Sequence, residues 1–209
     1  MINTDNSKET DKLFNEDTGL RDDCGLCKEA GYEVGQKTGY GVIIYKIGNP
    51  KTGWFATLSP KTGGNPNDFT IQLMPFLHLT HFSQIESHKG LAENYGIAFS
   101  KLSRAMTTIL MQGEGLKSSS ERKEMSVPIA TYGKSTTWKE KKEHLHIKIF
   151  PFRGNIGQPY TVDSSFGRKE IFKDNTGKEF AKMNPVKKVM IGKERFSQLT
   201  KELIALLKK

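Results

Sequence analysis

Between about Lys89 and Met111 the apolar residues Leu91, Tyr95, Ala98, Phe99, Leu102, Met106, Ile109 and Leu110 recur at steps of three and four. That period predicts a long amphipathic helix. A helix with one apolar stripe has to bury it against another layer. The flanking segments supply candidates for that layer. Tyr40–Ile47 and Trp54–Leu58 are rich in β-branched and aromatic residues and read as strands. The intervening Gly48-Asn49-Pro50-Lys51-Thr52-Gly53 is a turn by composition and makes the pair a hairpin. Phe69–Met74, Met125–Tyr132 and His144–Phe150 read as three more strands, the third ended by Pro75 and the fifth by Pro151. Residues 154–185 read as irregular and basic, and Lys193–Lys208 as a second helix with Phe196, Leu199, Leu203, Ile204 and Leu207 on one stripe. The sum is an α+β fold: a five-stranded antiparallel sheet with one long helix, followed by a C-terminal extension that ends in a helix. The expected organisation is a flexible lead-in over 1–20, a principal domain over 21–153 and the extension over 154–209.

Charge narrows the ligand class. The chain carries +9 overall, but residues 1–34 hold four Lys/Arg against nine Asp/Glu, leaving 28 basic and 14 acidic groups, or +14, on the other 175 residues. A body of that sign suits an anion, and phosphate is the common class. A solvated Lys-rich surface is the plainer alternative. No apolar run approaches the roughly 20 residues that cross a bilayer, and the start Met1-Ile2-Asn3-Thr4-Asp5 lacks the basic and apolar regions of a signal peptide. The expectation is a cytoplasmic protein with no membrane partner.

Two places could carry chemistry. The two cysteines stand as Cys24-Gly25-Leu26-Cys27. Inside a cell such a pair is more often a metal or redox site than a structural disulfide, and as half a zinc site it needs two further ligands. A redox pair is the alternative, but no βαβ pattern lies beside it. The second place is His144-Leu145-His146-Ile147-Lys148. Side chains at i, i+2 and i+4 of a strand share a face, so His144, His146 and Lys148 point one way and Leu145, Ile147 and Ile149 point into the core. Two imidazoles and an ammonium suit a phosphate-binding face. A neutral imidazole nitrogen can attack phosphorus and split a transfer into two easier steps, while Lys148 can hold phosphate charge. An exposed polar strand face without function is the alternative.

Taken in order, Cys24-x-x-Cys27, Trp54-Phe55-Ala56-Thr57-Leu58, Ile71-Gln72-Leu73-Met74-Pro75-Phe76-Leu77-His78, the long helix and His144-Leu145-His146-Ile147-Lys148-Ile149-Phe150-Pro151 resemble the histidine-triad (HIT) superfamily over roughly residues 22–153. Its members include dinucleoside polyphosphate hydrolases, nucleoside phosphoramidases, aprataxin-like deadenylases and a hexose-phosphate uridylyltransferase. The resemblance implies a HIT-like fold and a nucleotide-binding hydrolase or nucleotidyl transferase. His146 would be the nucleophile that takes a nucleotidyl group from an α-phosphate, with Lys148 beside it. Cys24, Cys27, His78 and His144 would hold a structural Zn2+, His81 being a competing ligand. Gly133, Ser135 and Thr136 match the positions that touch phosphate oxygens, with a plain surface loop as the alternative. Trp54 reads as core rather than as a base-stacking residue. The implied partner is a nucleotide or dinucleoside polyphosphate, with a nucleic-acid end in the aprataxin-like case, and the implied assembly is a homodimer. The departure is Lys148, where the family has His or Gln. A lysine binds phosphate better than it shuttles protons near neutral pH. That is compatible with slow hydrolysis, with transfer to an acceptor other than water, or with a zinc-stabilised nucleotide or nucleic-acid binding module of little turnover.

Overall fold

A computed structural model describes residues 19–62, 67–113, 129–133, 144–151, 166–185 and 189–208. The short helix α1 (Gly25–Glu29) precedes the strands β1 (Val42–Ile47), β2 (Trp54–Leu58), β3 (Lys61–Thr62) and β4 (Ile71–Pro75). A 3-10 turn (Phe82–Ile85) and the long helix α2 (Lys89–Gly113) follow. Then come β5 (Ile129–Gly133), β6 (Ile147–Pro151), β7 (Phe166–Lys173), β8 (Glu179–Pro185), β9 (Val189–Met190) and α3 (Lys193–Leu207). Five strands form one antiparallel sheet in the order β1-β2-β4-β6-β5. The fold is therefore α+β, with a long helix and a C-terminal helix, as the periodicities required.

The two faces of the sheet have different covers. On one face Trp54, Ala56, Leu58, Ile71, Leu73, Leu145, Ile147 and Ile149 join Leu91, Ala98, Leu102, Met106 and Ile109 of α2 in the main core. Trp54 is fully buried; its indole N–H donates to the Leu91 carbonyl at 2.8 Å and its ring lies 5.1 Å from that of Tyr95. Trp54 is core, not a stacking platform for a base. Leu199, Leu203 and Leu207 of α3 enter the same cluster, so the terminal helix is packed on the sheet domain itself. β3 pairs with β9, and the Ile191 N–H donates to the Pro60 carbonyl, which fixes the approach to α3. The opposite face carries a smaller cluster of Ala30, Ile43, Phe55, Met74 and Phe76, packed by Leu26 and Tyr32 of the N-terminal segment.

Several boundaries moved for local reasons. The β1–β2 ladder shifts register between Ile43 and Tyr45. This bulge lets both Ile44 and Tyr45 enter the main core while Ile43 faces the other way. β1 begins at Val42 because Gly41 has φ +151°, and a Cβ there would collide with the Leu58 carbonyl. β6 begins at Ile147, not His144, because the Leu145 N–H donates to the Leu79 carbonyl at 2.6 Å instead of to the sheet. The in-out alternation survives: His144 and Leu145 are buried, His146 and Lys148 half-buried, Ile147 and Ile149 buried.

The reading of 154–185 as irregular is corrected, since β7 and β8 make an antiparallel hairpin. Its strands hold charged residues rather than a β-branched run, so composition hid them. Its turn is set by Asp174, whose carboxylate accepts from the backbone N–H groups of Thr176 and Lys178, and by Gly177 at φ +82°. Residues 125–128 of the expected fourth strand lie outside the described residues.

If α3 belongs to the main core, Leu203→Ala destabilises the whole molecule by about 2–5 kcal/mol. Urea unfolding followed by tryptophan fluorescence in a Trp138→Phe background, where the signal comes from Trp54 beneath α2, shifts in one transition. A separate early transition that leaves the Trp54 signal in place would show that α3 is an independent unit.

Candidate metal centre

Cys24 and Cys27 lie three apart at the start of α1, a spacing that puts two side chains on one side of a helical turn. His78 follows β4 beyond Pro75, and His144 stands just ahead of β6. The antiparallel β4–β6 pairing brings these two histidines together, with ring centroids 5.2 Å apart, edge to face. The ligand atoms of Cys24, Cys27, His78 and His144 all lie within 4.8 Å of one another, and all four residues are buried. The cysteines are free thiols, not a disulfide. These four side chains can hold a metal ion.

The geometry fits a tetrahedral ion. Cys27 Sγ stands 3.4 Å from His78 Nδ1 and 3.5 Å from His144 Nδ1, and Cys24 Sγ stands 3.6 Å from His144 Nδ1. A tetrahedron with metal–S near 2.3 Å and metal–N near 2.0–2.1 Å has S···N edges of roughly 3.5 Å. The tautomer also suits ligation. His144 Nε2 lies 2.8 Å from the Pro75 carbonyl, which only accepts, so Nε2 carries the proton and Nδ1 turns its lone pair toward the sulfurs.

Electrostatics without an ion points the same way. Burial pushes the Cys27 thiol up to about 11, with Cys24 adding to the rise. Burial pulls His144 down to about 4, with His78 and His146 contributing. The pocket thus resists uncompensated charge of either sign. A divalent cation with two thiolates and two neutral imidazoles is neutral overall, which removes that cost. His81, the competing ligand, is used elsewhere: its side chain caps the 3-10 turn, accepting from the Ser83 N–H at 3.2 Å.

Two residues of the cluster, Cys24 and His144, line a cleft of about 240 Å³ together with Asp23, Leu26, Tyr40, Gln72 and His146. His146 Nδ1 lies 3.1 Å from the His144 carbonyl. The carbonyl can only accept, so Nδ1 bears the proton and the lone pair of the neutral ring lies on Nε2. Gln72 was not singled out in the sequence, although its place on the face opposite Ile71 and Leu73 marked it as turned from the core. Tyr40 is half exposed at the rim. Lys148 is half-buried and directly opposite Gln72 in the β4–β6 register, but it is not part of the cleft lining. Ser135 and Thr136 lie outside the described residues; Gly133 ends β5, paired with Ile147. On the far side of the cluster a larger hollow of about 500 Å³ is lined by Leu20, Cys27, Lys46 and Phe76 among others. Its lysine is committed, donating to the Tyr32 carbonyl at 2.9 Å and lying over the Phe76 ring.

No protein-family model matches this chain, and no curated protein or solved structure matches it significantly. Among the described residues no helix is long and apolar enough to cross a membrane.

Purified protein is expected to carry one metal ion per chain by elemental mass spectrometry, and Cys27→Ser to carry far less. Removing the ion with a strong chelator lowers the thermal midpoint by more than about 10 °C. Acid acts in the same direction. The folded His144 holds a proton less readily than the unfolded one, so stability is complete above about pH 6.5 and is lost as pH falls through about 4. A thermal midpoint that stays flat over that window would contradict the burial of a neutral, ligating His144.

Proposed function

We propose that this chain is a divergent histidine-triad protein: a zinc-stabilised nucleotide hydrolase or nucleotidyl transferase in which His146 forms a covalent nucleotidyl intermediate. The observation that carries this reading is the 3.1 Å contact between His146 Nδ1 and the His144 carbonyl, in a cleft that Cys24 and His144 of the four-residue cluster help to line. It makes Nε2 the attacking nitrogen and anchors its ring to a residue fixed by the metal centre. Zinc is the proposed ion because two thiolates and two imidazoles form a closed, soft-to-borderline donor set suited to a structural site.

In the proposed reaction His146 Nε2 bonds to the α-phosphorus, and the bond from that phosphorus to the bridging oxygen breaks. The electron pair leaves on the departing phosphate. The Nδ1 proton stays between the ring and the His144 carbonyl. Water, or another hydroxyl acceptor, then attacks the phosphorus; the P–N bond breaks, its electron pair returns to Nε2, and the acceptor's proton passes to solvent. A cleft of about 240 Å³ encloses a phosphate and part of a nucleoside, less than the 300–1,000 Å³ typical of sites that engulf a ligand. The remainder of a dinucleotide would extend past the rim at Tyr40. The +14 charge outside the first 34 residues favours polyanionic substrates.

The test compares wild type with His146→Ala, incubated with dinucleoside polyphosphates, nucleoside phosphoramidates and nucleotide sugars. Intact-mass measurement is expected to find a nucleotidyl adduct in the wild type and none in the variant, with turnover falling by at least on the order of 10³-fold. Metal content and nucleotide affinity change little. Folded, metal-loaded wild type that binds nucleotide but gives neither adduct nor turnover would show a binding module instead. Steep salt dependence on an oligonucleotide would then point to nucleic acid.

A further inference from the structure

Gln72 sits at the middle of β4, half-buried, and lines the same cleft as His146. Its strand neighbours Ile71 and Leu73 are fully buried in the main core, so the alternation of the strand turns Gln72 to the opposite, site-bearing face. The register places it between Thr57 on β2 and Lys148 on β6. Among the described residues its side-chain amide makes no hydrogen bond. The Gln72 amide is open to the cleft rather than sealed in the core, so its N–H groups are available to a ligand there. A ligand oxygen in the cleft can take the place of the water that the amide would otherwise bind. The third position of the His-x-His-x-Lys strand, where a phosphate contact was expected from sequence, holds a side chain outside the cleft lining.

We infer that Gln72, reaching into the cleft from the neighbouring strand, is the side chain that binds a non-bridging oxygen of the phosphate under attack. The inference rests on the reading of His146 above. The Gln72 amide donates to phosphate oxygen, and Lys148, across the ladder, adds longer-range positive charge. Neither is suited to deliver a proton to the leaving group near neutral pH: an amide does not titrate, and an ordinary lysine stays charged. Groups that depart as stable anions, such as a phosphate leaving an anhydride, are therefore preferred over amines, which must be protonated to leave.

The experiment uses full-length, metal-loaded protein as wild type, Gln72→Leu, Gln72→Glu and Lys148→Met. Substrates are dinucleoside triphosphates carrying adenine, guanine, cytosine or uracil, and the matching nucleoside phosphoramidates. Metal content and thermal midpoint are recorded for each variant. For the dinucleoside triphosphate that wild type consumes, Gln72→Leu is expected to lower kcat/KM by roughly 10- to 100-fold, the worth of a hydrogen bond to a charged group. Gln72→Glu falls further, because a carboxylate would face phosphate. Lys148→Met loses less than Gln72→Leu, and wild type prefers the anhydride to the phosphoramidate.

A structural glutamine predicts another order: near-isosteric Glu milder than Leu, with rates following thermal midpoint. That order, or a Gln72→Leu enzyme equal to an active wild type, overturns the role of Gln72 and leaves His146 standing. Wild type that forms no adduct and consumes none of the substrates overturns both. Should Gln72→Glu fail to fold, the ratio of Gln72→Leu to Lys148→Met still decides, since a larger loss in Lys148→Met refutes the assignment.

Discussion

Four side chains from three distant parts of the chain meet at one buried point, and the site depends on their meeting. Cys24 and Cys27 belong to the N-terminal segment, His78 to the exit of β4, and His144 to the entry of β6. β4 and β6 are central strands, so the cluster stands where the sheet is most constrained. It clamps α1 onto a sheet face whose apolar cover is otherwise small: Ala30, Leu26 and Tyr32 over Ile43, Phe55, Met74 and Phe76. That patch is much smaller than the core beneath α2 and α3. A metal ion would supply the attachment that apolar area there does not, and would neutralise a Cys27 thiolate that burial alone disfavours.

The same residue couples this clamp to the cleft. The His144 imidazole belongs to the cluster, and its carbonyl accepts from His146. Its remaining ring nitrogen is held by Pro75, the last residue of β4. A chain of two hydrogen bonds thus runs from the end of one strand, through His144, to the proposed nucleophile. Each link also fixes a tautomer, so the proton positions follow from carbonyls that can only accept.

Much of this was legible in the sequence because it rested on periodicity. The three-and-four spacing of Leu91, Ala98, Leu102, Met106 and Ile109 gave α2, and the alternation from His144 to Ile149 assigned faces that the structure reproduces. The ligand set could be written down only by resemblance, since nothing local in His78 or His81 distinguishes them; the difference is that His81 finds a capping role in the 3-10 turn. What escaped either lacked a β-branched or apolar pattern or was set by long-range pairing. The β7–β8 hairpin is built from charged residues around an Asp174 turn, the β3–β9 bridge joins segments far apart in sequence, and Gln72 gains meaning only once β4 lies beside β6. α1 is five residues long, too short to show a period.

The separation of the ligands also has a consequence in time. Cys27 and His144 are 117 residues apart. At a synthesis rate of 5–20 residues per second, the two thiols emerge about 6 to 23 seconds before the histidine that completes their cage. During that interval they are an open pair of cysteines on a segment with little apolar surface to hide them. The cluster therefore closes late in the birth of the molecule, and until β6 arrives the fold itself cannot hold Cys24 and Cys27 in it.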